Sequence, residues 1–96
     1  MDVVLVTKNG MIKRTAVDEF RQQGRGGGGI TAMSLANGDK VVGAVGLSAQ
    51  SVMVVTAGGR AIRFAAEELR QMGRAAQGVR AIRLNEGDSV VAVVAV

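Results

Sequence analysis

The apolar positions of this chain fall into short β-branched runs, each broken by a glycine-bearing turn. Val3–Thr7 reads VVLVT and stops at Lys8-Asn9-Gly10, an Asn-Gly hairpin signal, so Met11–Thr15 is expected to return beside it. Ala16–Gln22 holds Asp18, Glu19 and Phe20 and suits one short helical turn. Gly24–Gly29 reads as a loop and Ile30–Leu35 as a third strand, after which Asn37-Gly38-Asp39 turns the chain into Lys40–Val45. The pattern then recurs as Val52–Thr56, Gly58-Gly59, Arg60–Phe64, Glu67–Gln71, Gly73–Gly78, Val79–Leu84, Glu86-Gly87-Asp88 and Ser89–Val96. In Val79–Leu84 the alternation is imperfect but leaves Arg80 and Arg83 for a solvent face.

The recurrence is a duplication. A shift of 49 residues aligns Val3–Leu47 with Val52–Val96 without a gap and matches 19 of 45 positions. Among the matches are Thr7/Thr56, Gly10/Gly59, Arg14/Arg63, Gln22/Gln71, Gly24/Gly73, Arg25/Arg74, Gly29/Gly78 and Asp39/Asp88. The fold class expected is all-β, with four-stranded, propeller-like blades in one unit spanning residues 1–96. The first blade repeat is residues 2–50 and the second is 51–96. Two blades do not close a ring, and the long apolar run Val90–Val96 is a hazard if left as an open edge. Closure through a homo-oligomer is the simplest remedy, with three chains supplying six blades.

Composition narrows the function. The 96 residues include no cysteine, no histidine and no tyrosine, and the only aromatics are Phe20 and Phe64. Disulfides, the usual zinc ligands and the common catalytic bases and nucleophile pairs are therefore missing, and neither an enzyme nor a metal site is expected. Two phenylalanines, better used in the core, do not make a stacking platform for single strands. The formal charge is +4 and each repeat carries six basic against four acidic residues, so an anionic partner is favoured. No segment approaches the roughly 20 apolar residues needed to cross a bilayer, and no amphipathic helix suits membrane docking. MDVVLVTKNG lacks a basic segment followed by a long apolar stretch, so the expectation is a soluble, cytoplasmic chain.

Gln23-Gly24-Arg25-Gly26-Gly27-Gly28-Gly29 follows a short acidic-aromatic turn and precedes a strand. It resembles the gyrase box, a Gln-Arg-Arg-Gly-Gly-Lys-Gly element in the C-terminal domain of the DNA gyrase A protein. Both repeats also share a T-x-x-G hairpin, a basic second strand, an E-[FL]-R-Q turn, a G-R-x-x-x-G loop and an N/E-G-D turn. That combination looks like successive blades of the same domain and covers nearly the whole chain. The resemblance implies a β-pinwheel, a disc of about six blades that exchange strands and wrap duplex DNA around a basic rim. In gyrase this wrapping sets the handedness of the strand passed through the enzyme. Two features depart from the pattern. This chain carries two blades, and its box has Gly24 and Gly28 in place of Arg and Lys, with Met72-Gly73-Arg74-Ala75-Ala76-Gln77-Gly78 in the second copy. The bare two-blade length suggests a fragment, or a consensus or engineered derivative.

Wrapping needs a row of cations and backbone donors that meet phosphates without reading base edges. Arg25 and Arg74 are the leading candidates, because a glycine-flanked arginine lets backbone and guanidinium approach one phosphate together. Lys13, Arg14, Arg60, Arg63, Arg80 and Arg83 are the further candidate rim cations, although a solvated strand face explains each of them singly. Three chains of +4 give a disc of +12. Gly24, Gly26 and Gly29 also satisfy G-x-G-x-x-G, but neither a preceding buried strand nor a following helix is expected, so nucleotide binding is set aside. Asp39 and Asp88 read as turn caps. No cofactor is implied. The partners implied are duplex DNA and further copies of the chain; the alternative is a purely structural, self-assembling blade pair with little or no DNA affinity.

Overall fold

The computed structural model describes residues 2–20, 33–48, 50–73 and 76–96, and these described residues form seven strands in two antiparallel sheets. In chain order they are β1 (Asp2–Thr7), β2 (Met11–Ala16), β3 (Val41–Gly46), β4 (Ser51–Thr56), β5 (Ala61–Ala65), β6 (Val79–Arg80) and β7 (Val90–Ala95). Single 3-10 turns at Val17–Phe20 and Ala66–Glu68 follow β2 and β5, where the sequence predicts short helical turns.

Each repeat opens with the same hairpin. The Gly10 N–H donates to the Thr7 carbonyl at 3.0 Å and the Gly59 N–H to the Thr56 carbonyl at 3.1 Å. The two threonine hydroxyls accept the N–H of Met11 at 3.0 Å and of Arg60 at 3.1 Å. Gly10 has φ 98° and Gly59 φ 93°, a region an L side chain resists, whereas no described non-glycine residue has positive φ. Asn9 therefore keeps ordinary backbone, and the turn is not the two-residue type I′ that an Asn-Gly pair suggests. The last strand of each repeat, β3 or β7, returns on the far side of the first, with the same register shift at Val6/Thr7 and at Val55/Thr56. Asp39 and Asp88 secure that return. The Asp39 carboxylate accepts the N–H of Asn9 at 3.0 Å and of Lys40 at 2.8 Å, and Asp88 accepts those of Gly58 and Ser89, both at 2.8 Å.

The sheets do not coincide with the repeats. The first has the order β3-β1-β2-β6 and takes its outermost strand from the second repeat; the second is three-stranded, β5-β4-β7. The sequence pattern predicts a strand over Val79–Leu84. Instead only Val79–Arg80 forms one, and it pairs with β2 through Met11↔Arg80 and Ile12↔Val79. The expected strand Ile30–Leu35 is not found at Met33–Leu35, and its first three residues lie outside the described set. Val4, Val6, Ile12, Val52, Val54, Leu69, Ile82 and Val90 form one core from both repeats. Burying each such side chain contributes roughly 1.5–3 kcal/mol. β3 lies against β7, which leaves β6 and β5 as the outermost strands of their sheets. The result is a thin wedge of 41 × 31 × 17 Å.

Candidate nucleic-acid interface

The strand exchange decides which basic residues reach solvent. β2 is covered by residues 71–73 and 78–82, and the two basic residues in its middle are drawn into that joint. Lys13 is 1% exposed and its Nζ donates to the Gly73 carbonyl at 3.2 Å. A buried ammonium needs such an acceptor, because removal from water is costly. Arg14 donates from Nε to Asp2 at 2.5 Å and from Nη1 to the Ala66 carbonyl at 2.7 Å, and it also reaches the Leu69 carbonyl at 3.4 Å. Gln71 donates to both Asp2 oxygens at 3.1 Å, closing a three-residue network across the repeats. The hydrogen bond from Arg14 holds the Asp2 carboxyl below its usual range, against the opposing effect of burial. Lys13 is thus not a rim cation in this structure, and Arg14 is half-buried and engaged in the fold.

The other candidates divide differently. Arg60 is half-buried, and its Nη1 donates to the Arg83 carbonyl at 2.8 Å. Its charge also helps to keep Asp88 ionised. There burial, the largest single influence, raises the carboxyl and is outweighed by the N–H groups of Ser89 and Gly58 and the Thr56 hydroxyl acting together with that charge. Arg63 is exposed on β5. Arg80 and Arg83 are exposed on either side of the buried Ile82, on the segment that forms the outer edge of the first sheet. Neither side chain has an acidic partner among the described residues. Arg25, with the rest of the loop Gln23–Gly29, and Arg74 lie outside the described residues.

Folding exposes further cations that the sequence did not single out. Lys8 and Lys40 meet where the first hairpin touches the Asp39 turn, the Lys8 N–H donating to the Lys40 carbonyl at 2.8 Å. They share a recess of about 290 Å³ with Val42, Ser89, Val90 and Val91. Arg70 is exposed beside the β2 joint. The available signal was the repeated Gly-Asp turn, which fixes where the two lysines converge. Among the described residues no cluster of three or more acidic, histidine or cysteine side chains could hold a metal ion, and no helix is long and apolar enough to cross a membrane.

Comparison with known proteins places these features in a family. A model described as the DNA gyrase C-terminal domain, a β-propeller, matches residues 2–46 and again 50–96. The DNA gyrase A protein of Granulibacter bethesdensis is 55% identical over 40 residues, 42% of this chain and 4% of that protein. Its counterpart from a Nocardioides species is 52% identical over 44 residues, 44% of this chain and 5% of the relative. The chain spans only a small fraction of these curated relatives. Among solved structures, the C-terminal domain of DNA topoisomerase IV superposes with a TM-score of 0.85 at 31% identity, covering 96% of this chain and 28% of that one. The gyrase A C-terminal domain gives a TM-score of 0.79 at 28% identity, covering 96% and 30%.

Proposed function

Because this chain belongs to the DNA gyrase C-terminal domain family of β-propellers, we propose that it is a non-catalytic module that binds duplex DNA through the phosphate backbone, with little sequence preference. The observation that carries this reading is the pair Arg80 and Arg83, exposed on an outer strand segment with no acidic partner among the described residues. Arg63 on the other outer strand, and Arg25 and Arg74 by their glycine-rich context, complete the proposed rim. Cations recurring at a fixed interval around a disc suit a bent duplex, because affinity then depends on charge and DNA deformability rather than on base edges. In a chain of two blades a complete rim requires an oligomer, for which three chains and six blades remain our reading. The structural alternative draws support from Lys13 and Arg14, two candidate cations used by the fold itself.

The test is a titration of linear and circular duplex at several salt concentrations. Binding is expected to weaken steeply with salt, and removing one phosphate interaction should lower the slope of log K against log salt by about 0.9. Arg80→Gln with Arg83→Gln should flatten the slope by roughly two such steps at unchanged thermal stability. No binding at low salt, or an unchanged slope in the double variant, would favour the structural alternative.

A further inference from the structure

The sequence contains three asparagines, and two of them, Asn9 and Asn37, are followed by glycine. An Asn-Gly pair carries its own chemistry. The glycine amide nitrogen can attack the asparagine Cγ, because no Cβ on the glycine obstructs the approach. The bond from Cγ to the side-chain nitrogen breaks, ammonia leaves, and a succinimide ring joins the two residues. Water then opens the ring at either carbonyl. One opening gives aspartate on the original main chain; the other gives isoaspartate, whose main chain runs through the former side chain. The reaction needs a glycine N–H free of other bonds and an asparagine side chain free to swing toward it. The fold gives the two pairs opposite surroundings. Gly10 is buried, its N–H donates to the Thr7 carbonyl at 3.0 Å, and its carbonyl accepts the Ala81 N–H at 2.7 Å. A Cβ there would lie 2.7 Å from the Ile82 carbonyl oxygen, and the Asn9 N–H is held by the Asp39 carboxylate at 3.0 Å. Asn37 and Gly38 are exposed, and nothing comes within 4 Å of the point where a Gly38 Cβ would lie. Neither the Gly38 N–H nor the Asn37 side chain has a hydrogen bond among the described residues.

We infer that Asn37 is a site of spontaneous deamidation in the folded chain, whereas the hairpin protects Asn9. The second repeat indicates what each product does. Its corresponding turn reads Glu86-Gly87, and Gly87 has φ 84°, the same as Gly38. The Asp88 N–H donates to the Asn85 carbonyl at 3.0 Å, as the Asp39 N–H does to the Ala36 carbonyl at 3.0 Å. A carboxylate at this position is therefore compatible with the turn, and the aspartate product keeps it. Isoaspartate lengthens the main chain inside the turn by one carbon, which separates the Asp39 N–H from the Ala36 carbonyl. The Asp39 carboxylate, which holds the N–H groups of Asn9 and Lys40, is then displaced, and the first hairpin is released from the start of β3. Deamidation at Asn37 is thus a slow, one-way loss of the first Asp latch. The second latch is not subject to it, because Glu86 has no side-chain amide to lose.

The test is incubation of the full chain at mildly alkaline pH, which favours the deprotonated attacking nitrogen, in buffer and in concentrated urea. Trypsin cuts after Lys8, Lys13, Arg25 and Lys40, so peptides 9–13 and 26–40 report the two sites separately by mass. An isoaspartyl carboxyl methyltransferase marks the isoaspartate form. In buffer the product in peptide 26–40 should exceed that in 9–13 by at least about tenfold, the ratio that an opening cost of about 1.4 kcal/mol imposes on Asn9. In urea the two sites should converge, since the dipeptides are the same. Equal rates in buffer, a faster reaction at Asn9, or no product at Asn37 under conditions where urea yields it would overturn the inference. The consequence for the latch is read separately, against Asn37→Glu, which copies the second repeat. The urea midpoint of the wild type should fall as incubation proceeds while that of Asn37→Glu holds. A wild type that accumulates isoaspartate at an unchanged midpoint, or an equal decline in both proteins, would overturn the released latch.

Discussion

At the scale of single residues, the clearest lesson is the separation of Arg14 from Arg63. The two are identical in type and matched in the repeat, and sequence reasoning assigns them the same candidate role. In the structure Arg14 binds Asp2 and the carbonyls of Ala66 and Leu69, while Arg63 is exposed. The difference comes from which neighbour covers the strand, and no local pattern encodes that. Lys13 shows the same point, since a lysine in a β pattern reads as solvent-facing until another repeat is laid over it. Arg14→Ala should therefore destabilise the chain by about 2 kcal/mol, because it removes charge-assisted hydrogen bonds and leaves Asp2 without its cation. Arg63→Ala in the dilute chain should stay within about 0.5 kcal/mol, as exposed substitutions usually do. Urea midpoints for the two variants check this; equal losses would show that the Asp2–Arg14 network contributes nothing.

At the scale of elements, the hairpins, the 3-10 turns and the first and last strands of each repeat were legible because their signals are local. Thr-x-x-Gly fixes the turn, β-branched runs fix the strands, and an acidic pair starts each short helical turn. That strands pass between blades came only with the family resemblance; which strand moves was not legible in the pattern. Val79–Arg80 has a strand-like pattern, yet its partner is set by Ile82 packing on Gly10 and by Gly78 passing close to Ile12. Those are contacts between repeats, and periodicity reports only which face of a strand is apolar. Gly10 and Gly59 allow a direct comparison. Both have positive φ, so alanine at either should cost about 1–2 kcal/mol of backbone strain. Gly10→Ala must also displace the Ile82 carbonyl and should cost measurably more than Gly59→Ala in dilute solution. Thermal unfolding of the two variants below the association range tests it, and equal costs would argue that β6 is not firmly seated on β2.

At the scale of the whole molecule, three carboxylates hold distant parts of the chain together. Asp2 links β1 to β2 and to Gln71, Asp39 links the first hairpin to the start of β3, and Asp88 does the same in the second repeat. All three are held below the ordinary carboxylate range. For Asp2 the largest influence is the Arg14 hydrogen bond. For Asp39 and Asp88 it is burial, which acts in the raising direction and is overcome by several N–H donors, a threonine hydroxyl and a nearby cation. A carboxyl whose pKa is lower in the folded chain than in the unfolded one binds its proton more readily after unfolding. Its contribution is complete above the unfolded value of about 3.9 and is lost as pH falls through the lower folded value. Because the groups lie at separate joints, protonation should loosen both sheets together rather than fray one end. Urea midpoints at fixed ionic strength should be level from pH 7 to about pH 5 and fall from about pH 4 downward. Asp39→Asn and Asp88→Asn should each make that fall shallower while lowering stability at neutral pH. A midpoint that stays constant to pH 3, or variants that keep the full acid sensitivity, would show that these turns are not what the carboxylates hold closed.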